Sequence, residues 1–492
     1  MWPMPRTAVL KFSQMALRRQ GTPAQRLVQL ALSLALRLFF RRVETSGAER
    51  VPADGPLLFV LNHPNGLIDP ALVFCALPRR ISFLAKSTLF DLPVLGRLLR
   101  LVEALPVYRR VDAPADVSLN QRTFARCREL FRRDRCVAIF PEGRSHNETQ
   151  LQPVKTGAAR IALGAVSSGG GDGLRRASEG SVRGPSAVGP GRELRSLKIV
   201  PAGLYYTSKT SLRGEALIRF GPPLEVRPVA LDGDGEPPRD AVLELSSRIE
   251  AALRDVTLNV ADDEELETVA RAEQLFSSIY ETINFRLPLS AEFELRRRFA
   301  ETLSGDGPNG SPRAARLRER LRSYEEELGD FGVRAENLAV LAHSRSDVVR
   351  HFLVRWLAVV IVSPLALFGA ILHLPAYLAA TSVSRRFRRH GIDEIAPTVR
   401  VGAAIILVAL TRLLFALALY FWLGWRLALA SLPVTALCGY AAVRSLETLY
   451  DLRGWFRASL LLARSRRRFL RLLLERRALH REMRALAGDP VI

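Results

Sequence analysis

Pro56-Leu57-Leu58-Phe59-Val60-Leu61-Asn62-His63-Pro64-Asn65-Gly66-Leu67-Ile68-Asp69-Pro70 is an apolar run that delivers a histidine into a Pro/Asn/Gly turn. The run carries no polar residue before Asn62 and stops at turn-formers, so it reads as a buried strand. Asp69 follows six positions after His63, at the mouth of a helix expected over 71–76. A neutral imidazole oriented by a carboxylate is the simplest group able to take a proton from a hydroxyl near neutral pH. Asp69-Pro70 also reads as a helix cap followed by proline at the first helical position. A capping aspartate can still hold an imidazole with its second oxygen, so the two readings stand side by side. A second passage of the same kind, an expected strand at 136–140, runs into Pro141-Glu142-Gly143-Arg144-Ser145. Two polar turns at strand ends suggest one site above a sheet edge.

Working outward, further strands are expected at 81–84, 102–107, 198–205 and 216–220, with helices at 93–101, 119–132 and 156–165. Alternating strands and helices of this length imply an α/β domain over 43–237, a mixed sheet flanked by helices. Residues 167–196 interrupt the pattern with a Gly/Ser/Pro/Arg mixture, a flexible insert by composition. Its glycines neither follow a strand nor open a helix, so they make a poor phosphate cradle.

Four other regions flank this domain. Within 1–42, residues 25–42 are apolar at helical spacing and are interrupted or flanked by Arg26, Arg37, Arg41 and Arg42. The stretch is short for a span and has no small-residue cleavage site after it. A basic amphipathic helix at the membrane interface suits it, with a helix packed on the domain as the alternative. Residues 238–350 read as a soluble helical module. Residues 351–443 are long apolar runs, expected as transmembrane hairpins, the first broken by Pro364 and Pro375. Arg412 lies inside the second run and must face protein, water or a headgroup. The tail, 444–492, mixes leucines with arginines and reads as a basic amphipathic helix. Arginine-rich 384–400 and the tail both belong on the cytoplasmic side by the positive-inside rule.

The 492-residue chain has a formal net charge of +22, carried almost entirely by arginine, since only five lysines occur. Such a charge calls for an anionic partner, lipid or nucleic acid. Four cysteines without a CxxC pair indicate neither a disulfide framework nor a zinc site. Seven histidines form no HExxH or dense ligand cluster, so no metal is expected. A Ser/Cys hydrolase would need a nucleophile elbow, and no GxSxG is present. A nucleic-acid binder would interleave its arginines with aromatics on a recognisable module, and this chain does not.

Taken together, His63…Asp69 and Phe140-Pro141-Glu142-Gly143 resemble the signatures of the glycerolipid (phospholipid/glycerol) acyltransferase family. Leu105-Pro106-Val107-Tyr108-Arg109, Ile199-Val200-Pro201 and Lys155-Thr156-Gly157 stand where that family has a phosphate-binding arginine, a short strand reaching proline and a helix start. The resemblance spans roughly 43–226. It implies His63 as catalytic base and Asp69 as its orienter. Lys86, Arg109, Glu142, Gly143, Arg144 and Ser145 would bind substrate, with Glu142 helping to hold the acceptor and Arg110 an alternative to Arg109. The activity implied is fatty acyl transfer from a thioester, coenzyme A or acyl carrier protein, to a hydroxyl of glycerol-3-phosphate or dihydroxyacetone phosphate. It needs no cofactor beyond the acyl-CoA or acyl-ACP co-substrate. The implied partners are the acyl thioester donor, a glycerol-phosphate or lysophospholipid acceptor and an anionic membrane, with no nucleic acid. The catalytic domain would face the cytoplasm. In one respect the chain departs from the family: five residues, not four, separate His63 from Asp69. A fungal-type branch of glycerol-3-phosphate acyltransferases is similar in this longer motif and in 255–259 followed by 264–275. Bacterial lysophosphatidate acyltransferases are similar too, so acylation of 1-acylglycerol-3-phosphate is the alternative. A catalytically idle membrane scaffold of the same fold is the other.

Overall fold

Residues 57–61 form a fully buried strand in the computed structural model of the chain, which describes residues 8–9, 21–77, 79–109, 118–146, 148–167, 194, 196–207, 213–280, 287–304, 312–335, 337–338, 345–389 and 396–487. Most of the expected insert at 167–196, most of 1–20 and Arg110 lie outside the described residues. The chain divides into two compact units between Thr257 and Leu258.

The first unit runs β1 (Ala8–Val9), α1 (Pro23–Phe39), β2 (Arg42–Ser46), β3 (Leu57–Leu61), α2 (Ile68–Ala76), β4 (Ile81–Lys86) and α3 (Leu95–Leu101). It continues with β5 (Leu105–Val107), α4 (Asn120–Arg132), β6 (Cys136–Ile139), α5 (Gly157–Ser167), β7 (Lys198–Tyr206), β8 (Glu215–Phe220), β9 (Leu224–Glu225) and α6 (Arg239–Val256). The strands form one mixed sheet in the order β1-β2-β8-β7-β3-β6-β4-β5, with β9 beside β7. Within it β7, β3, β6, β4 and β5 are mutually parallel neighbours. Their C-terminal ends therefore share one edge, and the polar turns after β3 and β6 stand next to each other. The sheet is covered by α4, α5 and α6, whose Phe131, Ala162 and Ile249 pack with Leu58, Val60 and Val137 of the strands.

The helix over 239–256 belongs to this α/β unit and not to the helical module expected from 238. Val242, Leu245, Ile249, Leu253 and Val256 face the sheet's core at helical spacing. The strand expected over 102–107 is only three residues long, because Val102 caps the end of α3 and a left-handed Glu103 (φ 59°) follows it.

Helix α1 is well specified at its start. Thr22 and Gln25 form a reciprocal capping box, and Pro23 takes the first position. Its buried face is partly polar, although Leu36 and Phe39 are buried there too. Gln25, Gln29 and Ser33 are buried at intervals of four, whereas Leu27, Leu30 and Leu34 are exposed. Gln25 Nε2 donates to the Leu101 carbonyl at 3.0 Å, and Gln29 Nε2 to that of Phe74 at 3.5 Å. The glutamines thus fasten α1 to α3 and α2, and the leucines point away.

The second unit contains α7 (Asp263–Tyr280), α8 (Leu289–Ser304), α9 (Pro312–Asp330), α10 (Arg345–Arg389), α11 (Ala396–Leu423), α12 (Trp425–Arg464) and α13 (Arg466–Ala487). Three of these, α10, α11 and α12, are long and apolar enough to cross a membrane. The proline-broken hairpin expected at the first apolar run is instead the single helix α10. Pro364 has no N–H for the Val360 carbonyl, and the Ser363 hydroxyl donates there instead at 2.7 Å. Helices α10 and α12 run antiparallel, Phe352 against Phe456, Arg355 against Asp451, and Gly369 against the Cys438 backbone. Arg385 and Arg386 therefore lie at the opposite end of α10 from Phe456, so a single crossing by α10 cannot put both arginine-rich segments on one side. Arg412 does face protein: its guanidinium meets the Leu432 carbonyl and Thr435 Oγ1 of α12. The tail helix α13 is not only a surface helix. Phe469, Leu472, Leu479 and Met483 are buried in the core formed by α7, α8 and α9.

Candidate active site

His63 follows β3 by two residues, and its imidazole Nδ1 lies 2.8 Å from Asp69 Oδ2. The longer spacing therefore leaves the pair intact. The turn closes because Asn65 N–H donates to the same Oδ2 at 2.7 Å, taking up the additional residue. Asp69 sits in the first turn of α2, but the cap position belongs to Leu67, which makes no side-chain cap bond. The Asp69 carboxylate is used for His63 and not for capping. It is fully buried, and its other oxygen, Oδ1, accepts the Tyr206 hydroxyl at 2.5 Å.

Burial pushes the Asp69 carboxyl above its usual range, and the bonds from His63, Tyr206 and Asn65 oppose that rise. Burial, with the Asp69 charge beside it, holds the Tyr206 phenol well above its ordinary value. Tyr206 is thus a protonated donor at any working pH. The His63 ring stacks on Phe140, the first residue after β6, at 4.0 Å between centroids and 16° between planes.

Glu142 is buried, and its two oxygens serve the protein. Oε1 accepts the His63 backbone N–H at 2.7 Å, and Oε2 accepts Gln152 N–H at 2.9 Å and meets His146 Nε2. His146 N–H in turn donates to the His63 carbonyl at 3.1 Å. The His63 turn and the Glu142 turn are therefore stitched together at backbone and side chain. Glu142 therefore braces the two turns against each other.

Beside this turn stand the cations. Arg109 Nη1 donates to the Gly143 carbonyl at 2.7 Å. Gly143 is left-handed (φ 76°), and a Cβ there would meet Lys155 Nζ at 2.4 Å. The left-handed backbone requires glycine, and a Cβ would in addition displace the end of the Lys155 side chain. Tyr108, just before Arg109, is clamped by Asn120 at the start of α4 through its N–H (3.0 Å) and carbonyl (2.8 Å). Lys86 ends β4 and pairs with Val107 of β5 in the ladder. Arg144 is exposed, and Ser145 is half-buried.

Residues 42–177 match the family model described as Acyltransferase, and residues 273–488 match the Glycerol-3-phosphate acyltransferase 2 C-terminal domain. Residues 42–177 thus form an acyltransferase-family domain. Glycerol-3-phosphate O-acyltransferase 2 of Saccharomyces cerevisiae is 27% identical over 278 residues, 56% of this chain and 34% of its own. Glycerol-3-phosphate O-acyltransferase 1 of the same yeast is 24% identical over 451 residues, covering 74% of this chain and 56% of its own. The chain thus spans less than two thirds of either yeast protein. The chloroplastic 1-acyl-sn-glycerol-3-phosphate acyltransferase BAT2 of Brassica napus is 31% identical over 124 residues, 25% of this chain and 34% of its own.

Within the acyltransferase domain, His63, Asp69, Glu142, Gly143 and Arg109 form one contact chain, and Lys86 joins it at the same sheet edge. Two participants were absent from the sequence reading. Tyr206 reaches Asp69 across 137 residues, a pairing that only the strand register reveals. His146 was visible four residues after Glu142, but helical or turn spacing alone does not name its partner.

Proposed function

We propose that this chain transfers a fatty acyl group from an acyl thioester to a hydroxyl of glycerol-3-phosphate at a membrane. The observation that carries this reading is the buried Asp69 carboxylate on Nδ1 of His63, which leaves Nε2 to act as the base. Nε2 takes the acceptor's hydroxyl proton as its oxygen attacks the thioester carbonyl. The tetrahedral oxyanion then collapses, the C–S bond breaks, and the thiolate leaves with the proton from the imidazolium. One ester forms for one thioester consumed, so the reaction calls for no cofactor. Arg109, Lys86 and Lys155 supply fixed cations for the acceptor phosphate, with the planar guanidinium suited to bidentate contact. The names of the two yeast relatives favour glycerol-3-phosphate as acceptor. The plant match favours the mono-acylated product as a second reading.

The three apolar helices and the exposed leucines of α1 support a membrane-bound enzyme. Arginine enrichment beyond 444 favours a cytoplasmic position for the end of the bundle that carries α13. The test is a transfer assay on the purified full chain, with glycerol-3-phosphate, dihydroxyacetone phosphate and lysophosphatidate in competition and CoA or acyl-carrier thioesters as donors. Preference for glycerol-3-phosphate is expected; preference for lysophosphatidate establishes the second reading, and no transfer to any acceptor refutes both. His63→Ala is expected to abolish transfer while the protein stays folded. Arg109→Ala is expected to raise the acceptor KM about tenfold or more, a loss of one charge-assisted contact. An effect confined to the donor KM would refute the phosphate role.

A further inference from the structure

We propose that Tyr206 is a positioning residue of this site: its hydroxyl holds Oδ1 of Asp69, so that Oδ2 stays on His63. The inference rests on the acyl-transfer reading for its kinetic consequence, but its geometry stands on its own.

A terminal carboxylate rotates in a broad, roughly two-fold well, so contacts on one oxygen alone fix it poorly. In Asp69 both bonds from the motif itself, His63 Nδ1 at 2.8 Å and Asn65 N–H at 2.7 Å, fall on Oδ2. Oδ1 is held by Tyr206 at 2.5 Å. The phenol therefore sets the rotation that the His63-to-Asp69 turn leaves open. This matters more here because the turn carries one residue beyond the usual family spacing.

Tyr206 is itself placed independently of Asp69. It ends β7, where it pairs with Ala216 of β8 in the antiparallel ladder. Two residues earlier, Leu204 is clamped to Asn62 through N–H to Oδ1 at 2.7 Å and Nδ2 to carbonyl at 3.1 Å. Asn62 is the residue before His63, so one clamp registers the base and the phenol together. The Tyr206 ring stacks on Phe40, just past the end of α1, at 5.6 Å and 22°. The hydroxyl is thus delivered by strand, clamp and ring stack, and Asp69 receives it.

The experiment compares four full-length proteins: the natural chain, Tyr206→Phe, Asp69→Asn and the double variant. Tyr206→Phe keeps the ring and removes the hydroxyl. Its kcat is expected to fall about tenfold, with both KM values within twofold and a melting temperature close to that of the natural chain. In the Asp69→Asn background the same change is expected to have no further effect, because the phenol acts through the carboxylate. A multiplicative loss in that background, or full kcat in Tyr206→Phe alone, would overturn the proposal. A second readout separates this from the functional reading: the carbethoxylation rate of His63 by diethylpyrocarbonate, followed by mass spectrometry of its peptide. Tyr206→Phe is expected to slow it several-fold, and to leave it unchanged when Asp69 is already Asn. That pattern without acyl transfer in the natural chain would refute the activity and leave Tyr206 as the group that sets Asp69. Equal His63 rates in the natural chain and Tyr206→Phe would refute the Tyr206 role even where transfer is found.

Discussion

Asp69 is an ionisable group that the site needs and the fold does not welcome. Its folded-state pKa is raised by burial. Between the ordinary carboxylate value and that raised value, the native protein binds more protons than the unfolded chain. Stability therefore falls as pH rises through that window, and an ionised Asp69 is a burden above it. Asp69→Asn removes the burden and the orienting charge together. Its kcat is expected to drop roughly 10²–10⁴-fold, the usual span for acid–base assistance. Its melting temperature at pH 8 is expected to equal or exceed that of the natural chain. A marked fall in melting temperature would show that the carboxylate holds the fold rather than the base. His63 and Asp69 were legible in the sequence because both lie in one turn, where a strand, a proline and a glycine announce themselves locally. Glu142 was legible from its strand-end turn, whereas its bonds to the His63 backbone and His146 were not. Tyr206 was not legible at all, because its contact exists only once β7 lies beside β3.

The elements were read correctly where an apolar run or stripe is bounded by turn residues. Strands β3, β6, β7 and β8 and helices α4 and α5 stand close to where apolar pattern and turn residues put them. The errors fall where context overrules local signals. Helix 239–256 reads as charged and soluble, yet its apolar stripe covers the sheet. Pro364 and Pro375 read as breaks, yet α10 continues through both. An apolar surrounding offers backbone groups no water, so retaining the helix is the better solution, and Ser363 repairs one lost bond. The same helix makes a close crossing at Gly369, where a Cβ would come within 2.1 Å of the Cys438 carbonyl oxygen. Small residues at such crossings let backbones approach and pack. Gly369→Val is expected to destabilise the bundle by about 1–3 kcal/mol, the usual range for overpacking. Thermal inactivation of the detergent-solubilised protein, scored by its monodisperse elution, would register this as a lower midpoint. Gly402→Val on α11 is the control, since among the described residues no atom beyond its own stretch of helix lies within 4 Å of its added Cβ. Equal behaviour of the two variants would discard the close-crossing account.

Across the whole molecule, charge and apolar exposure converge on a lipid surface. The net charge is +22, and three helices have the length and hydropathy to span. Those spans suit a bilayer, but they lie outside the α/β unit, whose site, on the proposed activity, would receive a donor with a long apolar tail. Within that unit α1 turns Leu27 (68% exposed) and Leu34 (59%) outward while burying its glutamines. Gln25 ties it to the end of α3, and Val94, just before α3, is 79% exposed. Leaving such side chains in water forgoes about 1.5–3 kcal/mol each, and an apolar phase would recover it. Arg26 and Arg37 on the same helix suit the phosphates at its boundary. The leucines would then bring the site to the layer where acyl chains reside. Replacing Leu27, Leu30 and Leu34 together by Ser is expected to lower kcat/KM about tenfold for a long-chain thioester presented on vesicles. A short-chain, water-soluble thioester should be used as well as before, because the His63–Asp69 pair is untouched. Equal losses with both donors would mean that the leucines serve folding, and equal retention would mean that the spans alone deliver the substrate.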